Sequence, residues 1–157
     1  MTETTVNGSV IVQYPDSFRI MTAEELTKAY QSDYNNRWGI VDEESHMVFC
    51  IYWNTSNKLL AALVDSKTIC KSTEANIRRM MDSREYKLDG FRDLTISGKK
   101  CTGFRHRYIL QDIRYVSDVV VMKKGNVCYT FYCYTREECE AANRDTLEGI
   151  LKSIRLA

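Results

Sequence analysis

Residues 91–134 carry four strand patterns in succession, and this run constrains the fold more than any other feature of the chain. FRDLTIS, residues 91–97, ends at the turn signal Gly98-Lys99-Lys100. Strand patterns over 102–110, 115–122 and 127–134 follow, and Lys123-Lys124-Gly125-Asn126 is the hairpin turn between the last two. Connections this short join antiparallel neighbours, because a parallel crossover needs a dozen or more residues. A helix over 136–153 follows the strands. Thr135-Arg136-Glu137-Glu138 has capping-box spacing at its start. Cys139, Ala142, Thr146, Leu147, Ile150, Leu151 and Ile154 then recur at three-four spacing as its buried stripe.

The first half is less regular. Residues 9–14, SVIVQY, alternate as a strand, and Pro15-Asp16 turns the chain. Thr22 and Glu25 have the spacing of a capping box, ahead of a helix faced by Leu26, Ala29 and Tyr30. Strand patterns over 38–41 and 46–53 flank the polar DEES and read as a hairpin. Met47, Phe49, Ile51 and Trp53 share one face of the second strand, and His46, Val48, Cys50 and Tyr52 share the other. Both faces carry apolar side chains, so the sheet is expected to be covered on both sides. Residues 57–64 fit helix or strand equally. A helix is expected around 72–81, with Ala75, Ile77, Met80 and Met81 as its buried stripe. The order predicts an α+β fold, a mostly antiparallel sheet flanked by helices. One domain over 1–157 is expected, since no Gly/Ser-rich linker or repeat interrupts the chain.

Composition narrows the function. A chain of 157 residues buries roughly 68–70% of its unfolded surface and needs no staples. The net charge of +1 lacks the basic excess of proteins held to nucleic acid by its phosphates, so no nucleic-acid partner is expected. No window reaches the roughly 20 apolar residues of a membrane span. The polar N-terminal stretch is not a signal peptide as written. Six cysteines without such a signal point to a reducing, cytoplasmic compartment, where they stay thiols.

Three of those cysteines fall in VCYTFYCYTREEC, residues 127–139. Side chains alternate faces along a strand, so Cys128 and Cys133, five apart, point to opposite faces. They can neither share a metal nor bridge each other. There is no CxxC, and His46 and His106 are far apart in sequence. No metal, cofactor or disulfide is expected, and core packing is the ordinary role of buried thiols. The catalytic alternative is a thiol working with His106; His46 and Cys50 share a strand face but sit four residues apart, too far for direct contact along one strand, and no Gly-rich phosphate loop or GxSxG occurs. The candidate binding residues are Arg105, Arg107 and Tyr132. The two arginines share a strand face and could grip a carboxylate or phosphate, with Tyr132 as a stacking wall. Ion pairs with acids such as Asp118 on a neighbouring strand are the alternative use for the same arginines.

QYPDSFRI (13–20), ISGKKCTGFRHRY (96–108) and the closing stretch 127–154 together resemble the PsbP-like superfamily, which includes the photosystem II extrinsic protein and the Ran-binding Mog protein of nuclear transport. QYPDSFRI, residues 13–20, looks like its strand-Pro-Phe opening. ISGKKCTGFRHRY, residues 96–108, is similar to its Ile-x-Gly turn and aromatic-bearing strand. Residues 127–154 are similar to its closing strand and helix, with Tyr129, Thr130 and Phe131 in the strand and Leu147, Ile150, Ser153 and Ile154 in the helix. Ser17 departs from the usual glycine, and Leu147 and Ile154 from the usual phenylalanines. The resemblance implies an α/β/α sandwich and a non-enzymatic binding or assembly protein, with no catalytic residue to carry over. The implied partner is an unknown protein or a small anionic ligand. A cryptic thiol-dependent enzyme and a dimeric secretion-type chaperone are the alternative functions.

Overall fold

The structure, a computed structural model, describes residues 1–30, 36–57 and 62–157. The undecided stretch 57–64 lies partly outside these residues. Ten strands are described: β1 (Thr2–Val6), β2 (Val10–Tyr14), β3 (Arg19–Ile20), β4 (Arg37–Asp42), β5 (Met47–Thr55), β6 (Lys87–Ile96), β7 (Lys99–Leu110), β8 (Ile113–Lys124), β9 (Val127–Arg136) and β10 (Arg155–Leu156). Three helices accompany them: α1 (Ala23–Tyr30), α2 (Ser66–Met80) and α3 (Glu140–Lys152).

Seven strands form one sheet in the order β3-β4-β5-β9-β8-β7-β6, and β1-β2-β10 form a second. Every pairing in both is antiparallel, so the α+β antiparallel architecture expected from the strand run is the one observed. The late strands β6 to β9 are consecutive hairpins. The join between the chain's two halves is β5 on β9, from Met47 opposite Thr135 to Thr55 opposite Val127.

Two apolar layers follow from the alternation of side chains. Phe49, Ile51, Val120, Met122, Tyr129 and Phe131 point from the large sheet into the main core. Val10, Val12 and Tyr14 of β2 and Leu147, Ile150 and Leu151 of α3 close that core from outside. This covering layer is therefore part helix and part small sheet, where a helical layer alone was expected. The first eight residues, not read as structured, supply its outer strand β1. On the opposite face Phe104, Val119 and Val121 pack beneath Cys70, Ile69 and Ile77 of α2. α1 covers the β4 end of that face, where only Gly39 fits: a Cβ there would lie 2.7 Å from Cys50 Sγ and 2.9 Å from Met21 Sδ.

The two capping boxes fare differently. Thr22 and Glu25 form theirs, with the Glu25 N–H donating to Thr22 Oγ1 at 3.2 Å and the Thr22 N–H to Glu25 Oε1 at 3.0 Å. Thr135 does not cap. It stays in β9, buried, and accepts from Asn143 Nδ2 at 2.9 Å, while a 3-10 turn over Glu137–Cys139 leads into α3. The α2 stripe is also corrected. The helix starts earlier, capped by Asp65 accepting from the Thr68 N–H. Cys70 and Glu74 are its buried residues, while Met80 is 75% exposed.

Candidate functional site

β7 places Arg105 and Arg107 on the α3 face of the large sheet. Arg105 sits opposite Asp118 of β8 and donates to it at 2.8 Å. Arg144 of α3 donates to the same carboxylate at 2.6 Å. Arg107 donates to Glu140 at 2.8 Å, to Asp89 at 2.9 Å and to Glu137 at 3.1 Å. Arg144 closes the lattice with a second bond to Glu140 at 2.8 Å. The Asp118 hydrogen bond holds Arg105 more firmly protonated than usual, and the Glu140 hydrogen bond does the same for Arg107. Both forks thus engage carboxylates of their own chain, the Asp118 pairing among them. Tyr132 points to the other face, against the Cys70–Phe104 cluster, where burial pushes its phenol up to about 12. The structure brings the two arginines together and puts the sheet between them and Tyr132.

Four of the thiols lie in environments opposed to activation, which needs a lowered pKa. All six are free. Burial pushes Cys70 up to about 12 and raises Cys101, Cys128 and, furthest, Cys133. Cys128 and Cys133 occupy opposite faces as the alternation required. Cys101 and His106 also point to opposite faces of β7. His106, 2% exposed, is stacked between Tyr86 at 5.3 Å and Tyr108 at 5.4 Å, with Phe104 at 5.6 Å. Burial lowers its pKa to about 4, so it is neutral at pH 7. Beside it Glu74 of α2 is buried, accepting from Tyr86 Oη at 2.7 Å and from Arg78 Nε at 3.0 Å. Among the described residues no group of three or more His, Cys, Asp or Glu is placed to hold a metal ion.

A different cluster forms where the β7–β8 turn meets the end of β9. Leu110 pairs with Ile113 across a two-residue turn, Gln111-Asp112. Both turn residues have positive φ, 51° and 64°. Such a turn favours Asn-Gly, and glutamine there carries a steric cost of about 1–2 kcal/mol. Tyr115, two residues on, sits opposite Arg136 of β9 and stacks on Tyr108 at 5.4 Å. The rings of Tyr86, His106, Tyr108 and Tyr115 therefore form one continuous stack that runs toward this end of the sheet. Beside it Asp112, Ile113, Arg114, Arg136, Glu137 and Glu138 line a concavity of about 470 Å³.

The arginines of this concavity differ from Arg105 and Arg107. Arg114 comes no nearer a carboxylate than 4.0 Å, from Glu85, and Arg136 no nearer than 3.8 Å, from Glu138. Neither guanidinium has a hydrogen-bonded acceptor among the described residues. Leu110, on the turn, is 38% exposed. Sequence reading passed over Arg114 and Arg136 because they are 22 positions apart. Their only signal is each one's place at a strand end, and the β8–β9 register that joins those ends is tertiary.

No protein-family model matches the chain, and no curated protein matches it. Solved structures do. Cyanobacterial PsbP (CyanoP) of Synechocystis sp. PCC 6803 superimposes with a TM-score of 0.74 at 9% identity, over 99% of this chain and 92% of the other. The Ran-binding protein Mog1p of Saccharomyces cerevisiae gives 0.63 at 8% identity, over 99% and 94%. LpqN of Mycobacterium tuberculosis, described as involved in cell envelope biogenesis, gives 0.59 at 11% identity, over 99% and 91%. At such identities the likeness is one of fold. It extends over nearly the whole chain, and the protein has the PsbP-like fold.

Proposed function

We propose that the protein is a non-enzymatic binding protein that docks a protein partner on the sheet end formed by the β7–β8 turn and the end of β9. The observation that carries this reading is the pair Arg114 and Arg136, which line one concavity and, among the described residues, have only long ion pairs and no hydrogen-bonded acceptor. Tyr and Arg dominate the energetic centres of protein interfaces, because each offers a large contact area with a polar tip. Here the two arginines stand beside an exposed Leu110 and the outer ring of an aromatic stack. The stack and the tight turn hold the surface rigid, which lowers the ordering cost of association. The same architecture in Mog1p belongs to a Ran-binding protein. Among the described residues no helix is long and apolar enough to cross a membrane.

The test is capture from the native cell extract by immobilised protein. Wild type and a control with Lys71→Glu, an exposed α2 position, should retain the same partner. The double variant Leu110→Ser/Arg136→Glu should lose it while keeping its circular dichroism spectrum. Equal capture by all three proteins, or none by wild type, would remove the docking reading.

A further inference from the structure

We propose that Asn7 is a site of spontaneous covalent change, where its side chain closes on the backbone nitrogen of Gly8 to a succinimide that opens to aspartate and isoaspartate. Asn7-Gly8 is the only Asn-Gly step in the chain. It forms the centre of the turn between β1 and β2, with φ of 52° and 63° and the Ser9 N–H donating to the Val6 carbonyl at 3.1 Å. Both residues are exposed. Among the described residues the Gly8 N–H has no acceptor, and no atom lies within 4 Å of the place a Cβ would occupy there. The attacking nitrogen is therefore unclaimed and unhindered, and the freedom of glycine lets the backbone swing it toward the Asn7 side chain.

The change needs water alone. A bond forms from the Gly8 nitrogen to Asn7 Cγ, the Cγ–Nδ2 bond breaks, and the Gly8 proton leaves with the amide nitrogen as ammonia. Water then opens the ring at either carbonyl. Opening at the side-chain carbonyl restores the normal backbone with aspartate, and opening at the backbone carbonyl routes the chain through the side chain as isoaspartate.

The surroundings of Asn7 make the two products unequal. Asn7 Nδ2 donates to Tyr129 Oη at 3.2 Å, and Tyr129 is fully buried in the main core. Aspartate keeps this contact with its direction reversed, because a phenol O–H donates to a carboxylate. Isoaspartate puts an extra carbon into a turn flanked by the pair Val6 and Val10, buried at 3% and 0% exposure. The second product therefore loosens β1 and β2, and the first does not.

Prolonged incubation of the whole protein at mildly alkaline pH, followed by peptide mass mapping, tests this. The peptide carrying Asn7 should gain the mass difference between a hydroxyl and an amino group, and should accept methyl groups from an isoaspartyl methyltransferase. Asn7→Gln should show neither change. Conversion at Asn54 or Asn126 ahead of Asn7 would overturn the assignment. So would a folded protein that stays unconverted at Asn7 while its urea-unfolded form converts there. Amide hydrogen exchange of the incubated protein should quicken over β1 and β2 and stay unchanged over α3, while Asn7→Asp exchanges as wild type does. Equal quickening in Asn7→Asp would trace the effect to the new charge and remove the isoaspartate step.

Discussion

Asp118 holds two arginines from two different elements, β7 and α3, and is itself buried at 5% exposure. Removing it takes the hydrogen-bonded carboxylate from Arg105 and leaves Arg144 with Glu140 alone; removing Arg105 leaves Asp118 still bound to Arg144. Asp118→Ala should therefore destabilise more than Arg105→Ala, by about 1–3 kcal/mol in urea unfolding. Equal losses would mean that the lattice is solvated and contributes little. His106 makes a second residue-scale prediction. Its folded pKa lies near 4, below its ordinary 6.5, because burial disfavours the cation. Between those values the unfolded chain takes up a proton that the folded protein refuses. Stability from this group is complete above about pH 6.5 and declines as pH falls toward 4, by about 3 kcal/mol across the window. His106→Phe should flatten that part of the stability–pH curve, and an unchanged slope would show that carboxylates account for it.

At the scale of elements, α3 is the outer wall of the main core. Leu147, Ile150 and Leu151 are buried at 4%, 1% and 1% exposure, and Ile154 just beyond the helix at 1%. Leu147→Ala should cost about 2–5 kcal/mol, read as a lowered melting temperature. A melting temperature equal to wild type would deny α3 that role. α2 teaches the opposite lesson. A carboxylate occupies its buried face because Tyr86 and Arg78 satisfy it there, and the helix ends with Met80 in solvent. Among the described residues, the outer strand β6 has no neighbour on its far side in the sheet order. It carries a bulge between Leu88 and Gly90 and the charges Lys87, Asp89, Arg92 and Asp93, features that discourage edge-to-edge pairing.

For the molecule as a whole, the seven-stranded sheet depends on β5 meeting β9 across some 80 positions of chain. The loop between them must close before that pairing is rewarded, which favours slow, millisecond-to-second refolding. β2 is tied to α3 through the Gln13 N–H, which donates to Ser153 Oγ at 2.9 Å, and to β10 by strand pairing. We propose that residues 1–157 unfold as one cooperative unit. Trp38 and Trp53 both pack against the main core, so their fluorescence should lose structure at the same denaturant concentration as the far-ultraviolet circular dichroism. Two separated transitions would divide the chain.

What the sequence determined by itself was local. The alternation of residues 102–134 set the strands, their antiparallel sense and the opposite placement of Cys128 and Cys133, because a period of two leaves no freedom of face. The spacing of Leu147, Ile150, Leu151 and Ile154 set the buried side of the last helix, and the Thr22–Glu25 box set the start of the first. Three segments were enough to bring the PsbP-like fold into view. Tertiary structure alone decided which charges were already spent. Arg105 and Arg114 are equally legible as arginines on strands, but the first meets buried Asp118 across a register and the second only an exposed Glu85 at 4.0 Å. Thr135 has a capping residue's sequence and a strand residue's place, since Asn143 and the β5–β9 pairing hold it there. The physical reason is range. Propensity and periodicity act over a few residues, whereas a salt bridge or a cavity is settled by which distant strands become neighbours.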